Sequence, residues 1–595
     1  MTAHTFPLVA LPQFTSIKQY HDLHSIPLYT LLPFLLLLLL ILHLLRTLYR
    51  TISHARRART LSCRPAPLEP SKHPLGLDIV LASLRADREQ RTPDHVAARF
   101  AALRHNGNKN NSNNSNNNNN NNNNNSSSSS GGGGVYTFRM SLLGTTNLVT
   151  ADPRNIQALL ATQFHDFGMG LARSTNLKTV LGRSIFAADG AAWRAAREMM
   201  RPLFSRDNVS RLNLLEAHVQ TLFLCIEKEE ATTTATANGP WSAAVSLASL
   251  FPCLTLDSAT ELFLGQSTST LKARLHNDQT HPGTAFNHAF EKMLAILGTR
   301  IRLRSFYWAY GTKDLHSCVA TLHEFVDAAI AASDSAKAQG SSLTRYNFLD
   351  VLRERCCVGG DEEVREQVLG LLAAGRDTTA SLMSWAWYCL VRNPRVFTKL
   401  RAEITSTFGY DHSSSSTDHP SETTMTFASL KQCTYLQHVL SETLRLHSVV
   451  PFNSRRALRD TTLPTGGGPL GTHPVFVPAG TEVNFSTHVL HRRNDLWGDD
   501  ADDFVPERWE TKRGSAGAAW HFVPFNGGPR ICIGQQLALT EAGYVVARML
   551  QRYEAVEGLD VDGTRDWHNF TVVCGPGSPV DRNEAVLCRL KVAEV

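Results

Sequence analysis

Apolar positions first gather between Ile26 and Leu45, a twenty-residue run in which Leu35 to Leu40 is unbroken. At about 1.5 Å rise per residue this length matches the hydrocarbon core of a bilayer, so the pattern predicts a membrane-spanning helix. A cleaved signal peptide is the alternative; the length of the run, its late start and the lack of a small-residue cleavage site after it favour a retained anchor. Pro65, Pro67, Pro70 and Pro74 then predict a stiff, extended connector over 46–74, with folded structure resuming near Leu75. Between 106 and 134 nearly every residue is Asn, Ser or Gly, which predicts a disordered insert in the surface of the folded domain. Smaller polar inserts occur at Thr232–Gly239 and Asp411–Thr424.

Beyond the insert, Val135–Gly144 and Asn147–Thr150 read as a β-hairpin. Most of the chain from there to about residue 450 carries helical periodicity. Its longest run, Asp361–Arg392, opens on acidic residues and closes before Asn393-Pro394. Strand-like runs return at Val475–Val477 and Val483–Ser486, and Gln535–Leu550 reads as an amphipathic helix. The expected fold is mainly α with a small β-sheet region, behind a single N-terminal transmembrane helix. The expected segments are 1–25, the span 26–45, the connector 46–74 and one catalytic domain over 75–595.

Of the 595 residues, 42% are hydrophobic and 19% charged, the balance of an ordinary folded protein with chain enough to enclose a cofactor. The net charge of +6 is small for this length and no basic block stands out, so no nucleic-acid partner is implied. Local charge matters more. Arg46, Arg50, Arg56, Arg57 and Arg59 follow the span whereas only Lys18 precedes it, which predicts a luminal segment 1–25 and a cytosolic body. The eleven cysteines are scattered, odd in number and form no C-x-x-C pair, a usage that fits reduced cytosolic thiols.

One of these thiols stands apart. Cys532 lies in Phe525-Asn-Gly-Gly-Pro-Arg-Ile-Cys-Ile-Gly534, just before the N–H-rich start of the last helix, where a thiol should ionise easily. Gly527, Gly528 and Gly534 can adopt positive φ or let backbone lie against a flat partner, and Pro529 stiffens the loop, so a large planar cofactor is suited. Trp193 and Arg197, four apart on a predicted helix, can bind a carboxylate from one face or form a packed Trp beside a solvated Arg. Ala374-Gly-Arg-Asp-Thr-Thr379 places poor helix formers mid-helix, where Asp377 and Thr378 can bond nearby carbonyls, open the ladder and leave a groove. Glu442 and Arg445 are three apart on a helical segment, where an exposed pair contributes only about 0.2–0.5 kcal/mol.

The order Phe525, Gly528, Arg530, Cys532, Gly534 resembles the haem-binding loop of the cytochrome P-450 family of haem-thiolate monooxygenases. The resemblance runs from about Leu75 to the C-terminus. It implies the P-450 fold and haem b (iron protoporphyrin IX), with Cys532 as the axial iron ligand. Trp193, Arg197, Arg530 and either Arg455 or Arg456 would bind the propionates. Ala374–Thr379 resembles the family's oxygen-binding stretch, which makes Thr378 a hydrogen-bond donor to dioxygen and Asp377 a proton relay, with Arg376 at a variable position. Glu442 and Arg445 fit Glu-x-x-Arg, and Arg508, in Asp503–Trp509, would complete a buried structural network.

Gln157–Phe167 and Arg459–Gly468 look like the fungal alkane and fatty-acid hydroxylase branch. That implies terminal hydroxylation of a long lipid, with Ala374, Val450 and Phe452 lining the channel. Other lipophilic or secondary-metabolite substrates, an isomerase or dehydratase that would not need Asp377 and Thr378, and a non-catalytic haem-binding protein are the alternatives. Ser448 departs from the family pattern, which usually has proline there, and so bears on the rigidity of that turn.

Only about sixty residues follow Cys532 and no Gly-x-Gly-x-x-Gly opens a strand–helix unit, so electrons are expected from a separate NADPH-cytochrome P-450 reductase. Arg194, Arg201 and Lys431 are its expected basic contacts, and the endoplasmic reticulum membrane the expected location.

Overall fold

A computed structural model describes residues 28–115, 135–142, 144–228, 241–338, 348–355, 360–410, 425–512, 518–559, 565–569, 573–577 and 585–593. The segment 1–25, both smaller polar inserts and positions 116–134 of the Asn-rich tract lie outside the described residues.

The chain forms two units, 1–62 and 63–595. In the first, Leu28–Thr60 is a single helix whose apolar stretch is wholly exposed, as fits a membrane anchor. The helix does not stop at Leu45. It continues through the arginines to Thr60, so this half of the expected connector is helical.

In the second unit the Pro-rich segment is not a free spacer. Arg64 N–H donates to the Pro474 carbonyl, Arg139 N–H to Pro67, and Glu69 N–H to Arg139. Ala66 is buried. Prolines donate no backbone N–H but their carbonyls accept, so extended chain can lie along the hairpin's edge; folded structure resumes at Arg64, ahead of Leu75. The helix Thr92–Ser115 also runs into the Asn-rich tract, propagating from turns anchored by the buried Phe100.

Strand Thr137–Leu142 pairs antiparallel with Thr145–Thr150, in register Thr137↔Thr150. The second strand pairs parallel with Glu482–Ser486, which lies antiparallel to Phe452–Ala457, and Phe167–Gly168 closes the five-stranded sheet. The remainder is mainly helical. At its centre the helix Gly360–Arg392 is buried along most of its length, packed against Leu247–Leu264 and Gln535–Arg552. Leu247–Leu264 is also apolar enough to cross a membrane, but it is largely buried and belongs to the core. The central helix is continuous, so the expected opening of its ladder at Asp377 and Thr378 does not occur.

Candidate active site

A cavity of about 340 Å³ lies between the central helix, the helix Gly190–Met200 and the loop Phe525–Gly534. The loop is shaped by its backbone. Cys532 N–H donates to the Phe525 carbonyl at 2.9 Å and Ile531 N–H to Gly528 at 3.1 Å. Gly528 has φ +66°, and a Cβ there would stand 1.9 Å from the Leu160 carbonyl oxygen, so only glycine fits. The other two glycines act differently: Gly527 is extended and its missing Cβ makes room for the Trp520 ring, while Gly534 precedes the last helix with φ −89°.

Cys532, Phe525, Arg530 and Gly534 line the cavity. Cys532 is open to water within this cavity while lying deep in the protein. The expectation of an easily ionised thiol fails here. Burial pushes the thiol up, against the opposing pull of Gly534 N–H and Arg197. Such a thiol loses its proton on coordinating a cation.

Trp193 and Arg197 line the same cavity, with the guanidinium 5.9 Å from the indole ring. Arg530 packs 4.4 Å over that ring and pairs with Asp189 at 2.5 Å. Arg455 is buried, and among the described residues its guanidinium donates to Asn453 Oδ1 at 3.2 Å and the Ser454 carbonyl at 2.7 Å. Alternation along the strand decides between the neighbouring arginines: Asn453 and Arg455 line the cavity, whereas Phe452 and Arg456 belong to the other face and do not. Phe452 is therefore not brought to the site, and Val449 lines it together with Val450.

Arg173, which no motif singled out, also lines the cavity and donates to Asn453 Oδ1 at 2.9 Å, with its Nε buried and without a partner among the described residues. Burial, then the repulsion of neighbouring arginines, brings Arg455 down to about 9 and Arg173 to about 10. Asp189 partly offsets that repulsion in both. Clustered cations with an orphaned donor fit a ligand bearing carboxylates, and the loop that brings Cys532 to the same cavity fits haem.

On the opposite element, Ala373, Ala374, Gly375, Thr378 and Thr379 line the cavity. A Cβ on Gly375 would meet nothing within 4 Å, so the groove comes from an absent side chain in an intact helix. Thr378 Oγ1 donates to the Ala374 carbonyl at 2.6 Å. Asp377 does not line the cavity. It is buried in an ion pair with Arg376, which also reaches Asn287 Oδ1 at 2.7 Å and Glu291 Oε1 at 2.6 Å on the helix Pro282–Leu303. One residue along a helix is a turn of about 100°, which is why adjacent Asp377 and Thr378 face different surroundings.

Behind the loop, the structure brings Glu442, Arg445 and Arg508 together. Arg445 forks onto both Glu442 carboxylate oxygens at 2.9 Å and donates to the carbonyls of His491, Ala501 and Asp503. Arg508 Nε reaches Glu442 at 3.1 Å, and Trp509 Nε1 and Val505 N–H also donate to that carboxylate. The arrangement is a fully bonded buried charge cluster.

A sequence model described as Cytochrome P450 matches residues 117–574. Cytochrome P450 monooxygenase alt2 of Alternaria solani is 61% identical over 544 residues, 90% of this chain and 94% of that protein. Cytochrome P450 monooxygenase g430 of Fusarium sp is 39% identical over 531 residues, covering 87% and 84%. Cytochrome P450 52A13 of Debaryomyces hansenii is 40% identical over 428 residues, covering 71% and 78%.

Proposed function

Because the chain belongs to the cytochrome P450 family, whose cofactor is haem, we propose that it is a membrane-anchored monooxygenase that hydroxylates long alkanes or fatty acids at or near the terminal carbon. The observation that carries this reading is the small, apolar surface that Ala373, Ala374 and Gly375 give the cavity beside Thr378, with Val449 and Val450 in the same lining. A thin chain end fits such a surface, and each buried methylene contributes about 0.8 kcal/mol. Attack on a primary C–H bond, stronger than its internal neighbours, then depends on orientation and exclusion by the lining. The resemblance of Gln157–Phe167 and Arg459–Gly468 to the alkane and fatty-acid hydroxylase branch supports the same substrates.

Bound haem supplies the activation of dioxygen. Cys532 would hold it from one side, and Trp193, Arg197, Arg173, Arg455 and Arg530 would bind its carboxylates. Thr378 Oγ1 donates its hydrogen bond to the Ala374 carbonyl, which leaves its lone pairs to accept; it hands a proton on by exchanging that donor bond. Asp377 acts as a relay only after leaving Arg376. Replacing Thr378 by alanine should leave fold and carbonyl spectrum unchanged while product per NADPH falls by roughly tenfold or more and peroxide rises. Unchanged coupling would remove Thr378 from the proton path.

Electrons would come from an NADPH-cytochrome P-450 reductase docked near the exposed Arg194, Arg201 and Lys431. The anchor would hold the enzyme in the endoplasmic reticulum, body to the cytosol, where such lipids partition. Membranes carrying this chain and a fungal reductase, given hexadecane, dodecanoate, a sterol and a polycyclic aromatic, should yield terminal alcohols of the first two by mass spectrometry. The purified chain with NADPH alone should yield none. Turnover confined to the sterol or the aromatic would end the lipid reading, and purely mid-chain products would remove its terminal clause.

A further inference from the structure

Glu442 and Arg445 lie far from the cysteine loop in sequence, and His491 joins them to it. It is fully buried, and its carbonyl accepts from Arg445 Nη1 at 2.8 Å. Its ring lies between two other elements, with Nε2 3.0 Å from Val523 N and Nδ1 3.1 Å from Ser448 Oγ. A backbone N–H can only donate, so Nε2 is the acceptor and Nδ1 carries the ring proton, donated to the serine oxygen. A second ring proton would set N–H against N–H; burial, and then Arg445, bring the imidazole down to about 3 against the opposing pull of the Leu444 carbonyl, and keep it neutral.

Val523 is buried two residues before Phe525, whose carbonyl holds Cys532 N–H. Ser448 is buried just beyond the helix Thr434–Leu446 that carries Glu442 and Arg445. A proline at 448 would remove the serine oxygen and leave the ring proton only the Leu444 carbonyl, so the departure from the family's usual residue here has a physical use.

We propose that His491 is a positioning residue for the thiolate loop, transmitting the register of the Glu442–Arg445–Arg508 cluster to Val523, with Ser448 fixing the ring's tautomer. The inference rests on Cys532 being the axial ligand. Its test compares the haem-loaded full chain with His491→Gln, His491→Asn and Ser448→Ala. A glutamine carbonyl reaches about as far as Nε2 and can accept from Val523; asparagine ends near the Nδ1 position and cannot.

Deuterium uptake at Val523 should accelerate about tenfold in His491→Asn, the effect of losing one buried hydrogen bond. The share of reduced, carbonylated protein lacking the red-shifted band should rise with it. His491→Gln should restore both, and Ser448→Ala should move both the same way by less. Equal behaviour of the Asn and Gln variants, or wild-type uptake in Ser448→Ala, would overturn the proposal; should the Asn variant not accumulate, Ser448→Ala decides alone. A wild-type chain without the red-shifted band would instead sink the ligand assignment, leaving the uptake comparison to judge the His491 link.

Discussion

Cys532→Ser should yield a folded protein that lacks the red-shifted carbonyl band of haem-thiolate ligation and has lost turnover. The loop that holds this residue is built without its side chain: Cys532 N–H binds the Phe525 carbonyl, and Gly528 is wedged against Leu160. Serine keeps those contacts and the side-chain shape. It supplies an alcohol in place of a thiol, and an alcohol does not become the soft, electron-donating anionic ligand that this chemistry requires. The variant should therefore melt close to wild type while its reduced, carbonylated spectrum moves to shorter wavelength. A wild-type spectrum from the serine variant would place the ligand elsewhere.

Arg445→Ala should be the more damaging substitution for the fold. It strips Glu442 of its forked partner inside the core and leaves the carbonyls of His491, Ala501 and Asp503 without that donor. Removing one member of a buried pair costs about 3–5 kcal/mol, a large share of the roughly 5–15 kcal/mol that holds a typical domain together. The expected result is little or no haem-loaded protein, measured as haem per chain and by thermal melting. Arg445→Lys should fail too, because an ammonium cannot fork onto a carboxylate and serve three carbonyls at once. Normal haem content in the alanine variant would show that the cluster is dispensable.

The signals legible in the chain were those carried by local chemistry. The cysteine loop, the hairpin, the central helix and the Glu442–Arg445 spacing each draw on residues close in sequence, and the structure puts those elements where the pattern implied. What stays hidden in the sequence is which way a side chain turns. The resemblance puts Phe452 in the channel, yet strand alternation gives that place to Asn453 and Arg455. Asp377 carries the expectation of a proton relay with Thr378; the structure pairs it with its neighbour Arg376, and nothing local announces that this arginine is held by Asn287 and Glu291 on another helix.

Arg173 escaped for another reason. Its value comes from converging in space with Arg455 and Arg530, which lie hundreds of residues away. The Pro-rich segment misled because prolines forecast an extended chain correctly and say nothing about what that chain lies against.

As proposed, this chain inserts one oxygen atom from O2 into the end of a long lipid. Reconstituted membranes with reductase, NADPH and dodecanoate under ¹⁸O₂ test it directly, by mass spectrometry of the hydroxylated product. The product should carry one ¹⁸O at or next to the terminal carbon and should be absent when Cys532 is serine; unlabelled product, or labelled product from the Cys532→Ser chain, would refute the proposed chemistry.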